Sequence, residues 1–179
     1  MLITPIIEKL KAEELLSAAN GIWPSGKKML KVELFYLPIY LFTINLEDKK
    51  GRQYKEMITV DGIKGEFAFF RETDSGQPTE QKINSFNSKL TEPMAREIAM
   101  AEYQRFLLKN NLKSSNSSGI IGFSQGVQAF YPYWIGYFKR GKGYDFEVID
   151  AVGGGKQGIK MRPVFIELLL QFPAGKQTR

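Results

Sequence analysis

The sequence predicts an α+β protein made of two tandem units, in each of which a helix is followed by a small antiparallel β-sheet. Each half of the chain opens with a threonine and a proline close together, a pattern typical of a helix start. An apolar pattern with a period of two then indicates strands, and an aspartate-led turn containing glycine follows. Because these features recur in the same order, we predict an internal repeat with units at 1–90, including a linker, and 91–179.

The first helix is predicted to begin at Thr4-Pro5 and to end at Asn20-Gly21. Every second residue from Leu30 to Leu46 is then apolar, which predicts strand structure. One strand of that length would extend about 55 Å at roughly 3.3 Å per residue, which is long for a globular protein. Pro38 cannot donate a hydrogen bond to a sheet, so we predict a bulge, a bend or an edge position there.

Two shorter strands complete the first unit. The residue pattern predicts strands at 54–60 and 66–70, joined by a tight turn at 61–65 that begins with Asp61. Residues 72–90 are polar and rich in Gln, Asn and Ser, and we predict that they form the linker.

The second unit repeats this order. Thr91-Glu92-Pro93 predicts a helix start, and Asn110-Asn111 predicts the end of the same helix. The aromatic segment 130–134 contains Pro132, as segment 35–40 contains Pro38, and predicts the corresponding strand. Thr91 lies 87 positions after Thr4, and Asp150 lies 89 positions after Asp61. The similar offsets support the repeat.

One apolar segment fits two structures. Residues 164–172 are nearly all apolar and lie between Pro163 and Pro173. A segment of this length is consistent with a helix or a buried strand, and we favour the helix.

The absence of histidine and cysteine restricts the chemistry that the chain can perform. It excludes disulfides, thiolate nucleophiles and a Ser-His-Asp triad, and it disfavours zinc and iron sites. We predict no enzymatic activity and no cofactor. The net charge of +6 permits binding to nucleic acid or to an anionic surface without requiring it. The apolar stretch 35–42 is too short for a membrane-spanning helix, and charged residues begin at Glu8, so a cytoplasmic location is expected.

Two glycine motifs resemble catalytic or nucleotide-binding sequences. Residues 122–126 match the Gly-x-Ser-x-Gly pattern around Ser124, but a hydrolase needs a base and a helix after the serine. The segment from Val127 is predicted to be a strand, so we interpret the motif as a turn. Residues 153–158 match Gly-x-Gly-x-x-Gly, but no acidic residue follows at the required distance, so this segment is also predicted to be a turn.

The candidate binding residues occur in both halves. Two basic segments are predicted to be hairpin tips, and exposed loops are often charged for solubility, so these segments favour either anion binding or a solvated surface. An aromatic run in the second half could stack on bases or a peptide, or could belong to the core. The candidates are Lys49, Lys50 and Arg52 in the first tip, Lys139, Arg140 and Lys142 in the second tip, and Tyr131, Tyr133, Trp134 and Tyr137.

The strand ends Val60-Asp61-Gly62-Ile63-Lys64-Gly65 and Ile149-Asp150-Ala151-Val152-Gly153-Gly154 resemble the hairpin of PepSY-like domains. In that family a helix packs on a short antiparallel sheet that ends in a Val-Asp-x-x-x-Gly turn. The resemblance covers about 35 residues of each half and implies a non-catalytic module linked to peptidase inhibition or protein binding. Members are usually exported, and the N-terminal residues here do not resemble a signal peptide.

Three functional hypotheses follow, and the third is an enzyme that works with carboxylates and lysine alone. The first is a non-enzymatic binding or structural module with a protein partner, or one that self-associates. The second is binding to nucleic acid or an anionic surface through the basic tips and the aromatic residues.

Overall fold

The computed structural model describes residues 1–18, 27–70, 85–111 and 118–171. Within these ranges the chain forms three helices and six strands. The strands form an antiparallel sheet in the order β3-β2-β1-β5-β6, and β4 also pairs with β1, which confirms the predicted α+β class. The elements are α1 (Lys9–Ala18), β1 (Lys27–Asp48), β2 (Gln53–Asp61), β3 (Phe67–Phe70), α2 (Glu92–Asn111), β4 (Ser118–Phe123), β5 (Val127–Arg140), β6 (Gly143–Asp150) and α3 (Arg162–Gln171).

The described residues form two compact units, and each unit takes segments from both halves of the chain. Unit 1 comprises residues 1–3, 37–70, 87–111 and 118–131; unit 2 comprises residues 4–18, 27–36, 85–86 and 132–171. The compact units therefore do not follow the predicted ranges 1–90 and 91–179. The internal repeat stays a prediction.

In unit 1, helix α2 packs on the hairpin formed by β1 and β2. The helix contributes Ala95, Ala99 and Tyr103, all fully buried, to a core that the two strands complete. Small residues at positions 95 and 99 let the helix approach the sheet closely, and the longer side chain of Tyr103 extends over the strands. The strand residues of this core are Tyr40, Phe42, Ile44, Leu46, Ile58 and Val60.

In unit 2, helix α1 packs on the hairpin formed by β5 and β6. Ala12 and Leu16 are its buried residues, and the strands contribute Trp134, Phe138 and Ile149. The first helix of the chain therefore packs on the last hairpin, whereas the predicted tandem units would place it on the hairpin that follows it directly.

Strand β1 is longer than the sequence pattern suggested. It runs as one strand through Pro38. Its pairing with β2 begins at Ile39, which leaves Pro38 just outside that ladder, where no N–H is needed. The Pro38 carbonyl accepts a hydrogen bond from Gly62 N at 2.7 Å. Because residues up to 36 belong to unit 2 and those from 37 to unit 1, the two parts of the strand serve different cores.

Helix α1 begins at Lys9, and the prediction that it begins at Thr4-Pro5 is wrong. Ile6 and Ile7 donate their backbone N–H groups to the carbonyl oxygen of Ala151, at 2.9 and 2.8 Å. In a helix that began at Thr4-Pro5 these two N–H groups would be among the first four, which have no acceptor within the helix, and here Ala151 supplies the acceptor. The predicted end at Asn20-Gly21 lies outside the described residues.

The other predicted elements are found close to their expected positions. Helix α2 begins and ends as predicted, and segment 164–172 lies largely within helix α3. The strands predicted at 54–60 and 66–70 correspond to β2 and β3. Most of the predicted linker lies outside the described residues, but Phe86 is buried and stacks on Phe35 with 5.7 Å between ring centroids.

Candidate binding site

The site is built on the turn that follows β6 in unit 2. Asp150 accepts the backbone N–H groups of Val152 and Gly153 on Oδ1, at 2.8 and 3.0 Å. Gly154 then adopts a positive φ of 71°, a conformation that glycine reaches without strain. Asp150 N donates to Gly155 O at 2.8 Å, which starts the return of the chain along the edge of β6.

The turn that follows β2 in unit 1 has the same bonds. Asp61 Oδ1 accepts the N–H groups of Ile63 and Lys64, both at 2.9 Å, and Gly65 has a positive φ of 80°. Asp61 N donates to Glu66 O at 3.0 Å. In this unit the returning chain becomes β3.

The paths of the two returning segments then differ. In unit 1 all four residues of β3 pair with β2, from Val60 opposite Phe67 to Met57 opposite Phe70. In unit 2 the return is limited to one bridge, between Ile149 and Lys156, and to the bond from Gln157 N to Val148 O at 2.8 Å. Among the described residues, β6 therefore has no third strand beside residues 143–147.

A pocket of about 400 Å³ lies beside this part of β6. Strand β6 forms one wall, the segment 156–159 a second, and helix α3 a third. Phe165, fully buried, forms part of the wall and contacts the ring of Tyr133 at 5.1 Å between centroids. The lining residues are Asp145, Phe146, Glu147, Val148, Lys156, Gln157, Gly158, Ile159, Arg162 and Phe165.

Two ion pairs join lining residues of the pocket. Arg162 Nη2 donates to Asp145 Oδ1 at 2.7 Å, and Lys156 Nζ lies 2.9 Å from Glu147 Oε2. The Arg162 guanidinium also lies over the Phe146 ring, 4.5 Å from its centroid, and Nη1 donates to Phe146 O at 3.1 Å. Arg162 thus closes part of the edge of β6.

The predicted basic tips are exposed hairpin ends, one in each unit. Gly51 and Gly141 both have positive φ, 75° and 59°, as tight turns require. In the first tip Arg52 is engaged by Asp48, with 2.7 Å between Nη2 and Oδ2. Hydrogen bonds from Arg52 and Lys50 to the Asp48 carboxylate lower the pKa of that group. The exposed side chains of the tips are Lys49, Lys50, Arg52, Lys139, Arg140 and Lys142.

The predicted aromatic candidates lie largely in the interior. Tyr131, Tyr133 and Trp134 are 8 to 9% exposed, so a base or a peptide cannot stack on their ring faces in this conformation. Tyr137 is half-buried, and burial, followed by the nearby Glu33 carboxylate, raises its pKa. Lys31 Nζ lies 5.0 Å from the Tyr137 ring centroid.

Ser124 has a structural role in the Gly-x-Ser-x-Gly segment. A strand, β5, follows it, as predicted. Its Oγ accepts the N–H of Thr43 at 2.7 Å, and its carbonyl accepts Arg96 Nη1 at 2.7 Å. These bonds join the turn to β1 and α2.

Sequence reasoning did not identify the pocket residues Phe146, Ile159, Arg162 and Phe165. The signal that could have found the site is the contrast after the two aspartate turns. Residues 67–70 are Phe-Ala-Phe-Phe, whereas residues 156–159 are Lys-Gln-Gly-Ile and do not form a strand.

No helix in the described ranges is long and apolar enough to cross a membrane. In the same ranges no three His, Cys, Asp or Glu side chains are grouped so that they could hold a metal ion. Comparisons of the chain with protein-family models, with curated proteins and with solved structures find no match.

Proposed function

We propose that the chain is a non-catalytic binding module, and that the pocket of unit 2 holds side chains of a protein partner. The observation that carries this proposal is the pocket itself. Its volume of about 400 Å³ lies within the usual range of ligand sites. Four of its ten lining residues are apolar, namely Phe146, Val148, Ile159 and Phe165.

The exposure of the pocket residues favours a macromolecular partner. Ile159 is 90% exposed and Tyr144, which precedes the pocket on β6, is 79% exposed. Apolar surface beside a concave site is typical of interaction surfaces. A protein-binding role also agrees with what the PepSY-like resemblance implies.

The charged groups of the pocket support a binding role over a catalytic one. Arg162 pairs with Asp145, and Lys156 pairs with Glu147. A general base or a nucleophile needs access to a reacting atom, whereas these side chains are directed at one another. They give the pocket a mixed polar rim of the kind that orients a bound segment.

We also propose that the two units are copies of one helix-plus-hairpin unit in which the helices are exchanged. The support is a set of matched bonds. Gly62 N donates to Pro38 O, and Ala151 N donates to Pro132 O, at 2.7 and 3.2 Å. The carbonyls of the same two residues, Gly62 and Ala151, each accept two N–H groups from the segment that leads into a helix.

The binding proposal is tested by selecting peptides from a phage-displayed library of random 12-residue sequences. A Cβ atom at Gly158, in the pocket wall, or at Gly155, outside it, would meet nothing within 4 Å, and neither glycine has a positive φ. Gly158→Leu therefore adds a side chain to the pocket wall, and Gly155→Leu is the matched control.

Peptides selected on the original chain should bind Gly155→Leu equally well and lose at least tenfold in affinity for Gly158→Leu. If no sequence is enriched, or if the selected peptides bind both variants equally, the proposal is wrong. Melting temperatures of both variants establish that each remains folded.

Anion binding is a second candidate, favoured by the exposure of the lysines in both tips. Each phosphate contact contributes a salt-dependent increment to affinity. Retention on heparin at low salt that falls when Lys50, Lys139 and Lys142 are changed to Gln would support it. Unchanged retention would exclude the tips as the binding surface.

A further inference from the structure

We propose that the pocket receives its partner as an added β-strand, which pairs with the edge of β6 through the backbone groups of Tyr144 and Phe146, where the described residues place no strand. The occupant is an extended segment of a partner protein that carries an aromatic residue opposite Phe146 and a basic residue opposite Asp145. This inference rests on the proposed binding function and specifies its mode.

The backbone of β6 is oriented for such pairing. Asp150 N and Val148 O already bond to the returning chain, so they face the edge away from β5. Backbone groups of alternate residues in a strand face the same side. Phe146 and Tyr144 therefore direct their N–H and C=O groups to the same edge. An added strand would continue the ladder that Lys156 and Gln157 begin.

Unit 1 shows what such an occupant looks like. There β3 lies beside β2 in the place that is open beside β6, with Phe70 opposite Met57. Met57 corresponds to Phe146, because the two aspartates that start the matching turns lie 89 positions apart. Phe70 is only 8% exposed, so this place accepts a large aromatic side chain.

The partner's aromatic side chain would point to the face of the sheet on which the pocket lies. Phe146 pairs with Tyr137 and Val148 pairs with Ile135, so they share a face with Tyr133, which contacts Phe165 of α3. Trp134 and Ile149 lie on the opposite face, in the core with α1. An aromatic residue opposite Phe146 would therefore enter the pocket beside α3.

Charge complementarity indicates which residue of the partner lies opposite Asp145. In an antiparallel pairing, the residue that follows the aromatic one lies opposite Asp145. The residue after Phe70 in the sequence is Arg71. Opposite charges placed directly across two strands attract each other. A peptide with this order would supply Asp145 with a new cation when Arg162 leaves.

Arg162 caps the edge of β6 with hydrogen bonds that an added strand would replace. Its Nη1 donates to Phe146 O, which the added strand would need, and its Nη2 holds Asp145. Asp145 Oδ1 also accepts Phe146 N at 2.9 Å. Side chains that satisfy edge groups in this way prevent uncontrolled pairing with other chains. A partner strand gains entry by replacing these bonds with backbone bonds.

The test uses the full ¹⁵N-labelled chain and the amidated hexapeptide Phe-Phe-Arg-Glu-Thr-Asp, whose sequence is that of residues 69–74. It starts opposite Glu147 and so leaves the bond from Gln157 N to Val148 O in place. Saturating peptide should slow amide exchange of Tyr144 at least tenfold and leave Asp145, which faces β5, unchanged. N-methylation of the second phenylalanine, whose N–H would bond to Phe146 O, should abolish binding. N-methylation of the first phenylalanine, whose N–H points away, should change the affinity less than threefold.

Two variants test the cap. Arg162→Met keeps an apolar stem over Phe146 but removes both donors, and should bind the hexapeptide three- to tenfold more tightly. Lys160→Met, the control, removes an exposed lysine that does not line the pocket, and should change the affinity less than twofold.

Failure of this inference is distinguishable from failure of the binding function. In one outcome, the library peptides lose affinity for Gly158→Leu, but the hexapeptide does not bind or binds without slowing the amide exchange of Tyr144. Strand addition is then wrong, and the binding function stands. Shifts confined to residues 57–60 would show exchange with β3 and would also overturn it. Protection that exists without peptide and disappears on dilution would identify a second copy as the occupant.

Discussion

Trp134 donates its indole N–H to the carbonyl oxygen of Ile7 at 2.7 Å, which joins β5 to the residue two positions before α1. Tyr40 makes the corresponding bond in unit 1, from its hydroxyl to the carbonyl of Leu90 at 2.8 Å. Leu90 likewise lies two positions before α2. An aromatic side chain of a strand thus fixes the entry of a helix in each unit.

Removing these donors should destabilise the chain. Tyr40→Phe removes one partly buried hydrogen bond and should lower the free energy of unfolding by about 1 kcal/mol. Trp134→Phe also removes packed volume and should cost about 2 kcal/mol. Urea unfolding followed by circular dichroism measures both. Tyr54→Phe is the control, because the Tyr54 hydroxyl bonds to Ser118 at the surface, and its change should stay below about 0.5 kcal/mol. Equal losses in Tyr40→Phe and Tyr54→Phe would contradict this prediction.

The carboxylate of Asp61 should be a major determinant of the stability of unit 1. It is 4% exposed, and besides Ile63 N and Lys64 N it accepts Glu66 N on Oδ2 at 2.5 Å. Asp61→Ala leaves three N–H groups without this acceptor and should lower the free energy of unfolding by about 3 kcal/mol.

Asp61→Asn separates the bonds made by Oδ1, which asparagine retains, from the bond made by Oδ2, which it loses. It keeps one acceptor oxygen for Ile63 and Lys64, so its cost should be about half that of Asp61→Ala. Chemical denaturation of both variants provides the comparison. If asparagine proves as destabilising as alanine, the bonds to Oδ1 are not what holds the turn.

Local signals predicted the elements whose hydrogen bonds are local. Helix α2 begins after Thr91 and ends at Asn111, as the sequence indicated, because capping and turn residues act within a few positions. Helix α1 was placed too early because the N–H groups of Ile6 and Ile7 bond to Ala151, about 145 positions away. No local pattern reveals such a partner.

The site was only partly predictable for a related reason. The basic tips are exposed, as loops with this composition usually are, but the aromatic candidates Tyr131, Tyr133 and Trp134 are buried. The pocket arises because segment 156–159 leaves the edge of β6 after one bridge. Residues 156–159 do not have a strand-forming composition, so the sequence indicates the missing strand, but it does not show that α3 lies beside the gap.

Tyr103 should make the stability of the chain sensitive to alkaline pH. Burial, followed by the hydrogen bond to Glu56 at 2.7 Å, raises the pKa of Tyr103 above its usual value near 10. The folded state therefore holds the phenolic proton more tightly than the unfolded state does. The resulting stabilisation is complete below pH 10 and is lost as the pH rises above it, by up to about 1.4 kcal/mol per pH unit.

Tyr103→Phe tests this dependence, since phenylalanine does not titrate. At pH 7 the variant should be less stable by about 1.5 kcal/mol, because the bond to the Glu56 carboxylate is lost. Between pH 10 and 12 its free energy of unfolding should fall less steeply than that of the original chain. Urea titrations at each pH measure both effects, and parallel pH profiles would contradict the assignment to Tyr103.

Ser124→Ala should affect stability and not hydrolysis. The Oγ of Ser124 accepts the Thr43 N–H, so its removal should cost about 1 kcal/mol in urea unfolding. Ser17→Ala is the matched control: its hydroxyl bonds to Glu13 O on the exposed face of α1, and its change should stay within about 0.5 kcal/mol. With p-nitrophenyl acetate, the original chain and Ser124→Ala should hydrolyse the ester at the same rate, since the chain has no histidine that could take the serine proton. A rate that disappears only in Ser124→Ala would make Ser124 a nucleophile and overturn the non-catalytic interpretation.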